Sequence, residues 1–365
     1  MPLHRITIDA ALEPAQGLRQ FDAVIDARSP GEFSLDHLPG AVNWPSLDDE
    51  ERHVVGTEYK QVSAFEARKR GAVLVARNIA RHLEQHAMGL PRTWKPLVYC
   101  WRGGQRSGAL ALVLSQVGFE VRVLEGGYRE FRRLVVSALE TAGTDLELRL
   151  ICGQTGSGKS RLLQALATQG AQVLDLEALA EHRGSVLGAH PHASQPSQKQ
   201  FETRLWHAMQ GFDRQRPVFV ESESRLIGRL RVPEALLQHM RAAPCLRVEM
   251  PMAARVQLLM QDYAHFVRDP ALLSARLNNL REVRGQELVG QWQQALQQGR
   301  LEDTVTRLLR EHYDPIYLKS MGRNFARFGA APSLTVRSGD AADLAAAAAQ
   351  AMDLFQIKPL AAPSL

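Results

Sequence analysis

Through roughly the first 140 residues, short apolar runs alternate with longer stretches in which polar and apolar positions mix. Phe21 to Ile25 is one such run, closed by Asp26, and it reads as a buried strand opening into a loop. Lys95-Pro96 introduces a second, Leu97-Val98-Tyr99, which stops at Cys100. Arg122 to Leu124 is a third, broken at once by Gly126-Gly127. A helical pattern follows through Leu139, and Thr141-Ala142-Gly143-Thr144 reads as a linker. Beyond it Leu146, Leu148 and Leu150 alternate with Glu147 and Arg149, and Ile151-Cys152 leads into a glycine-rich loop. Leu162, Leu163 and Leu166 share one face of the next helix, and Gly170 suits its C′ position. From about Pro251 to Arg310 the apolar residues recur at helical spacings, and the alanine run Ala345 to Ala349 belongs to a closing helix. No repeat of fixed period is present. Alternation of this kind predicts two α/β domains, residues 14–138 with a parallel sheet and residues 145–365 with a helical C-terminal part.

The sharpest chemistry in the first half is Tyr99-Cys100-Trp101-Arg102-Gly103-Gly104-Gln105-Arg106-Ser107-Gly108. A strand delivers one cysteine to a glycine-bearing loop, and a helical pattern from Ala109 to Val117 follows. In such a turn the loop amides converge as an anion nest beside a helix N-terminus. That field favours a thiolate, and Arg102 and Arg106 add to it, so Cys100 is expected to have a depressed pKa. A lone cysteine is more often buried and inert; the two glycines and the arginines argue against that here. The cysteine-to-arginine spacing is C-x5-R, a spacing also used to enclose a tetrahedral phosphoryl group.

In the second half Gly153-Gln154-Thr155-Gly156-Ser157-Gly158-Lys159-Ser160 fits a phosphate-binding loop with a strand before and a helix after. Gly153, Gly156 and Gly158 let backbone N–H groups converge on phosphate oxygens. Lys159 neutralises charge, and Ser160 is a candidate Mg²⁺ ligand. A magnesium-orienting carboxylate belongs at the end of another strand, where Asp175 and Glu221 are the two candidates. The loop argues more firmly for a diphosphate or triphosphate group than for ATP hydrolysis.

Composition narrows the setting. A chain of 365 residues with 45% hydrophobic content can build packed cores, which excludes a disordered protein. No apolar run approaches the ~18 residues of a membrane span. The N-terminal segment lacks a signal-peptide core. Three scattered cysteines, Cys100, Cys152 and Cys245, suit a reduced, cytoplasmic setting. The net charge of +5 admits a phosphate-bearing or nucleic-acid partner without requiring one. Arg68-Lys69-Arg70, Arg129/Arg132/Arg133 and Arg225/Arg229/Arg231 are candidate backbone contacts, though each alone reads more readily as a solvated face. Trp101, beside the thiol, is the candidate for stacking an extruded base, whereas Trp44 and Tyr128 read as core. His182, His190 and His192 are too irregularly spaced for a metal site.

Asp26-Ala27-Arg28-Ser29-Pro30-Gly31-Glu32-Phe33, followed by His37-Leu38-Pro39-Gly40-Ala41-Val42-Asn43, resembles the opening signature of a rhodanese domain. Leu124-Glu125-Gly126-Gly127-Tyr128 resembles its closing one. The resemblance makes Cys100 the sulfurtransferase cysteine, while Asp26 and Arg28 read as a pair that braces the fold. A rhodanese-like domain followed by a P-loop NTPase-like domain is similar to the bacterial tRNA 2-selenouridine synthase family. Val55-Gly56-Thr57-Glu58-Tyr59-Lys60, Glu181-His182-Arg183-Gly184-Ser185, Glu221 to Gly228 and His312-Tyr313-Asp314-Pro315-Ile316-Tyr317 fit the same family. That resemblance implies replacement of the 2-thio sulfur of a wobble uridine by selenium, with tRNA as partner and selenophosphate as donor. It also implies an S-geranylated intermediate made from geranyl diphosphate, which Lys159 and its loop are expected to hold. Cys100 would carry selenium as Cys–S–Se⁻, and an enzyme that supplies selenophosphate is an expected partner. The alternative is a generic rhodanese-type sulfurtransferase, or a C-x5-R phosphatase, with a nucleotide-binding P-loop domain.

Overall fold

The apolar runs are too short and too β-branched for helices, and each is buried on both faces, as parallel strands covered by helices must be. The computed structural model describes residues 3–13, 17–184, 188 and 194–357. They form two units, one built from residues up to Ala138 together with Ser197–His207, the other from Leu139–Pro196 and the residues from Ala208 onward.

The first unit holds a five-stranded parallel sheet made of β1 (Arg5–Ile6), β2 (Ala23–Asp26), β3 (Ala41–Asn43), β4 (Pro96–Tyr99) and β5 (Arg122–Leu124). Their spatial order is β1-β5-β4-β2-β3, so β4 lies between strands reached in opposite directions. That is where α/β sheets open a crevice at their C-terminal edge. The core joins Ile25, Val98, Leu110 and Leu114 with Trp44 and Trp94. Two differences from the sequence reading stand out. Arg5–Ile6 pairs with β5 ahead of residue 14, and Ser197–His207 returns to this unit although it falls within 145–365.

Asp26 and Arg28 form the expected brace. The guanidinium lies 2.6 Å from the carboxylate with both groups buried, and it donates again to the Asp36 carbonyl. Arg28 also lies over the Tyr128 ring, 3.9 Å from its centroid. Removing one partner of such a buried pair typically costs about 3–5 kcal/mol, because the other charge is stranded.

The second unit holds another parallel sheet, β6 (Leu148–Gly153), β7 (Gln172–Leu174), β8 (Val218–Glu221), β11 (Cys245–Glu249) and β12 (Ser333–Thr335), in the order β12-β11-β6-β8-β7. A small antiparallel pair, β9 (Leu226–Ile227) and β10 (Leu230–Arg231), stands apart. Again the central strand, β6, carries the motif at its C-terminal end. The helix Lys159–Thr168 buries Leu162, Leu163 and Leu166 against it, and the closing helix Ala341–Leu354 adds its alanine face to the same core. The helical segment from Met252 onward has a core of its own around Phe266, Leu277 and Trp292. Among the described residues no helix is long and apolar enough to cross a membrane.

Candidate active sites

Cys100 follows β4 directly, and its side chain is only 3% exposed. Sγ accepts from the Gly104 amide at 3.3 Å and from the Ser107 hydroxyl at 3.2 Å. Burial pushes the thiol up, but the Ser107 hydroxyl and amide, the Arg102 amide and the Arg106 charge outweigh it, leaving the pKa below that of a free cysteine. The nest expected from the sequence is therefore present, with one change of role. Arg102 acts through its backbone amide, and its side chain is exposed. Arg106 is held 2.6 Å from Glu32, which also pairs with Arg52. Those arginines pull the Glu32 carboxyl below its ordinary value despite partial burial.

The loop is locked from behind by the residues of the closing signature. The Tyr128 amide donates to the Cys100 carbonyl at 2.8 Å, and the Arg129 amide donates to that of Trp101 at 3.1 Å. Gly127 has φ +60°, and a Cβ there would stand 2.2 Å from the Cys100 oxygen, so no larger residue fits. Trp101 is half-buried beside Tyr128, with ring centroids 5.4 Å apart. Trp44 and Tyr128 are buried, as core residues should be. The Tyr128 hydroxyl donates to Asp36, which also accepts from Thr203 of the returning segment. Burial raises the Asp36 carboxyl above its usual range.

A consequence follows for pH dependence. In Ser107→Ala the thiolate loses its closest oxygen donor, so the Cys100 pKa rises. The midpoint of its iodoacetamide alkylation profile is expected to move to higher pH. An unmoved midpoint would mean that the backbone amides alone set the pKa.

In the second unit the phosphate loop joins β6 to the helix Lys159–Thr168. Lys159 Nζ donates to the Gly153 carbonyl at 2.7 Å, which folds the side chain over the loop. Gly156 and Gly158 take positive φ, 77° and 82°. At Gly156 a Cβ would also press on Leu259, 2.9 Å away. The Ser160 hydroxyl donates to Glu177 at 2.8 Å. Neither strand-end carboxylate singled out from the sequence occupies that place. Asp175 caps the short helix Leu176–Leu179, and Glu221 accepts from the Glu177 amide at 2.9 Å. The nearest carboxylate to Ser160 is thus a residue two positions beyond Asp175.

Glu177, Glu221 and Glu223 gather around this end of the loop with Asp175. Burial raises all four carboxyls, and neighbouring carboxylates raise the three glutamates further, while Lys159 draws Glu177 and Glu223 back; Glu223 stands at about 8. Among the described residues no group of three or more His, Cys, Asp or Glu is arranged to hold a metal ion. At the loop, buried Ser157 Oγ and Glu221 Oε2 have no partner among the described residues. Polar atoms buried in this way are ordinarily satisfied, so their clustering here fits a site built for a ligand.

Two comparisons bear on the whole chain. A family model described as the tRNA 2-selenouridine synthase AAA domain matches residues 146–334, and a rhodanese-like domain model matches residues 10–134. A tRNA 2-selenouridine synthase of Nitrosomonas europaea is 37% identical over 66% of this chain and 63% of its own. Those of Alcanivorax borkumensis and Marinobacter nauticus are 32% and 35% identical, over 80% of this chain and 88% and 87% of theirs. The chain belongs to the tRNA 2-selenouridine synthase family.

Within this 2-selenouridine synthase family member, one motif quoted from the sequence gains a structural meaning. Asp314 of His312-Tyr313-Asp314-Pro315-Ile316-Tyr317 holds Arg255 at 2.6 Å, and Arg255, 3% exposed, donates to the Thr155 carbonyl. The phosphate loop is therefore buttressed from the helical part. Tyr317 places its ring 5.9 Å from Lys159 Nζ. Neither Arg255 nor Glu177 carried a sequence signal, since each lies outside any motif.

The basic clusters are largely spent on ion pairs. Lys69 pairs with Glu66, Arg70 with Glu58, Arg132 with Glu202, Arg133 with Glu130 and Arg225 with Glu234. His182 is buried; His190 and His192 lie outside the described residues.

Proposed function

We propose that this chain converts 2-thiouridine at the wobble position of tRNA to 2-selenouridine, in two stages served by its two loops. The observation that carries the reading is the pairing of an activated Cys100 in a rhodanese-type loop with a complete phosphate loop, in a member of this family.

In the first stage geranyl diphosphate is seated by Gly153, Gly156, Gly158, Lys159 and Ser160. The uridine sulfur attacks the first carbon of the geranyl group. An S–C bond forms, the C–O bond to diphosphate breaks, pyrophosphate leaves and the N3 proton goes to solvent. Mg²⁺ would neutralise phosphate charge, held by Ser160 and Glu177 with phosphate oxygens and water completing the sphere, as that ion prefers.

In the second stage selenophosphate meets Cys100. Attack at selenium, to give Cys–S–Se⁻, would leave a bonding pair on phosphorus and yield phosphite. Attack at phosphorus is redox-neutral. An S–P bond forms, the P–Se bond breaks and hydrogen selenide leaves with the pair; water then returns the thiolate and phosphate. The loop reads C-x-x-G-x-x-R-S, and its converging amides together with Arg106 suit a phosphoryl group. Selenide attacks C2 of the S-geranylated base, the C–S bond breaks, and geranylthiolate takes a proton from solvent. Trp101, half-buried and next to Cys100 in the chain, would stack the base.

The test is nucleoside mass spectrometry after incubating the protein with 2-thiouridine tRNA, geranyl diphosphate and selenophosphate. Selenouridine that requires both small molecules is the expected product. Phosphate release that ignores tRNA, with no selenouridine, would favour the phosphatase reading instead.

A further inference from the structure

The helical part of the second unit lines an apolar pocket, about half open to solvent, whose empty space counted out into that solvent is about 530 Å³. Its wall is almost wholly hydrocarbon, contributed by residues such as Leu259, Phe266, Leu273, Val305 and Leu308, and Thr155 of the phosphate loop is also part of it. Leu259 belongs to both features, since it lines the cavity and packs on Gly156. Arg255 donates to the Thr155 carbonyl, which ties the loop to the helix Met252–Asp262 that carries Leu259. An apolar pocket that shares Thr155 with the phosphate loop does not suit a nucleotide. A base needs hydrogen-bonding groups on its edges, and a ribose needs them on its hydroxyls. The chamber suits an unbranched or methyl-branched hydrocarbon chain attached to a diphosphate.

We infer that this cavity is the chain subsite of the enzyme, holding the prenyl tail of an allylic diphosphate whose head lies on Gly153–Ser160, and that its depth selects chain length. The inference rests on the reading of the phosphate loop as a diphosphate seat given above. Of the lining residues, Val305 is half-buried, whereas Leu273 and Leu308 are buried. Each methylene removed from water into such a chamber contributes about fourfold in affinity. Geranyl diphosphate should therefore bind far more tightly than dimethylallyl diphosphate, and inorganic pyrophosphate should bind more weakly than either.

The experiment is calorimetric titration of the full chain with geranyl diphosphate, dimethylallyl diphosphate, inorganic pyrophosphate and ATP, for wild type, Val305→Trp and Met260→Ala. Val305→Trp puts a larger side chain on the pocket wall. It should weaken geranyl diphosphate by about 30-fold or more, several methylenes' worth, while leaving pyrophosphate unchanged. That unchanged value also shows that the variant is folded. Met260 also lines the pocket, and Met260→Ala, titrated with farnesyl diphosphate as well, should shift preference toward that longer chain. Geranyl diphosphate that binds wild type and Val305→Trp equally would overturn the inference while leaving the diphosphate seat intact. If ATP binds better than geranyl diphosphate, and Val305→Trp leaves both alone, the seat itself has been misread and the inference falls with it.

Discussion

Replacing Cys100 by Ser is expected to abolish selenouridine formation, by on the order of 10³-fold or more, while S-geranylation of the same tRNA continues. The sulfur is the group on which the loop converges. Gly104 and Ser107 donate to Sγ, the Arg102 amide points at it, and Arg106 supplies charge. A serine oxygen in the same nest keeps the shape of the loop but stays protonated at neutral pH, because a hydroxyl lacks the acidity these donors can exploit. The loop stays closed as well, since the Tyr128 amide and Gly127 act on the backbone of residue 100. Nucleoside mass spectrometry separates the two products. Phosphorus NMR of the wild-type reaction adds a second reading, because attack at phosphorus gives phosphate whereas attack at selenium gives phosphite. Persistence of selenouridine in Cys100→Ser would remove Cys100 from the chemistry and leave the nest as a structural turn.

The two loops were legible because each is contiguous. A strand end, a set of glycines and a basic residue within eight positions state both conformation and chemistry, and α/β topology places them at central strands. What the sequence hid is non-local. Glu32 meets Arg106 across 74 positions, and Asp314 meets Arg255 across 59. No periodicity encodes such a meeting; only the folded sheet order creates it. Glu177 was missed for a different reason. The sequence expects a magnesium-orienting carboxylate at a strand end, but the chain turns into a helix after Leu174 and spends Asp175 on capping it, which carries Glu177 to Ser160. The helix Gln198–Gln210 shows the limit of pattern reading most plainly. Its apolar face predicts burial but carries no address, and Phe131, packed edge-on against Trp206, is what assigns the segment to the first unit. Strand β1 is invisible in the sequence because two residues establish no period.

Lys159→Ala should show the opposite pattern to Cys100→Ser. Geranyl diphosphate binding is expected to weaken by about 10- to 100-fold, the range for losing a hydrogen bond to a charged group, and S-geranylated tRNA should become undetectable at low substrate. The side chain now folds back on the Gly153 carbonyl, a contact it can exchange for phosphate oxygens without moving far. Its loss has an electrostatic consequence too. Lys159 is the cation that draws Glu177 and Glu223 down, so without it both carboxyls rise further. A carboxyl less ready to ionise is a weaker Mg²⁺ ligand, and high Mg²⁺ should therefore rescue the variant only slightly. The decisive arm supplies Lys159→Ala with tRNA that already carries S-geranyl-2-thiouridine. Selenation from selenophosphate should then proceed if that half of the chemistry belongs to Cys100 and its loop, as proposed. Failure with the preformed substrate would mean that Lys159 serves selenium transfer as well. Retained geranylation would mean that the diphosphate lies elsewhere. If both expectations hold, the order of the two reactions is assigned: alkylation first creates the leaving group that selenide then displaces.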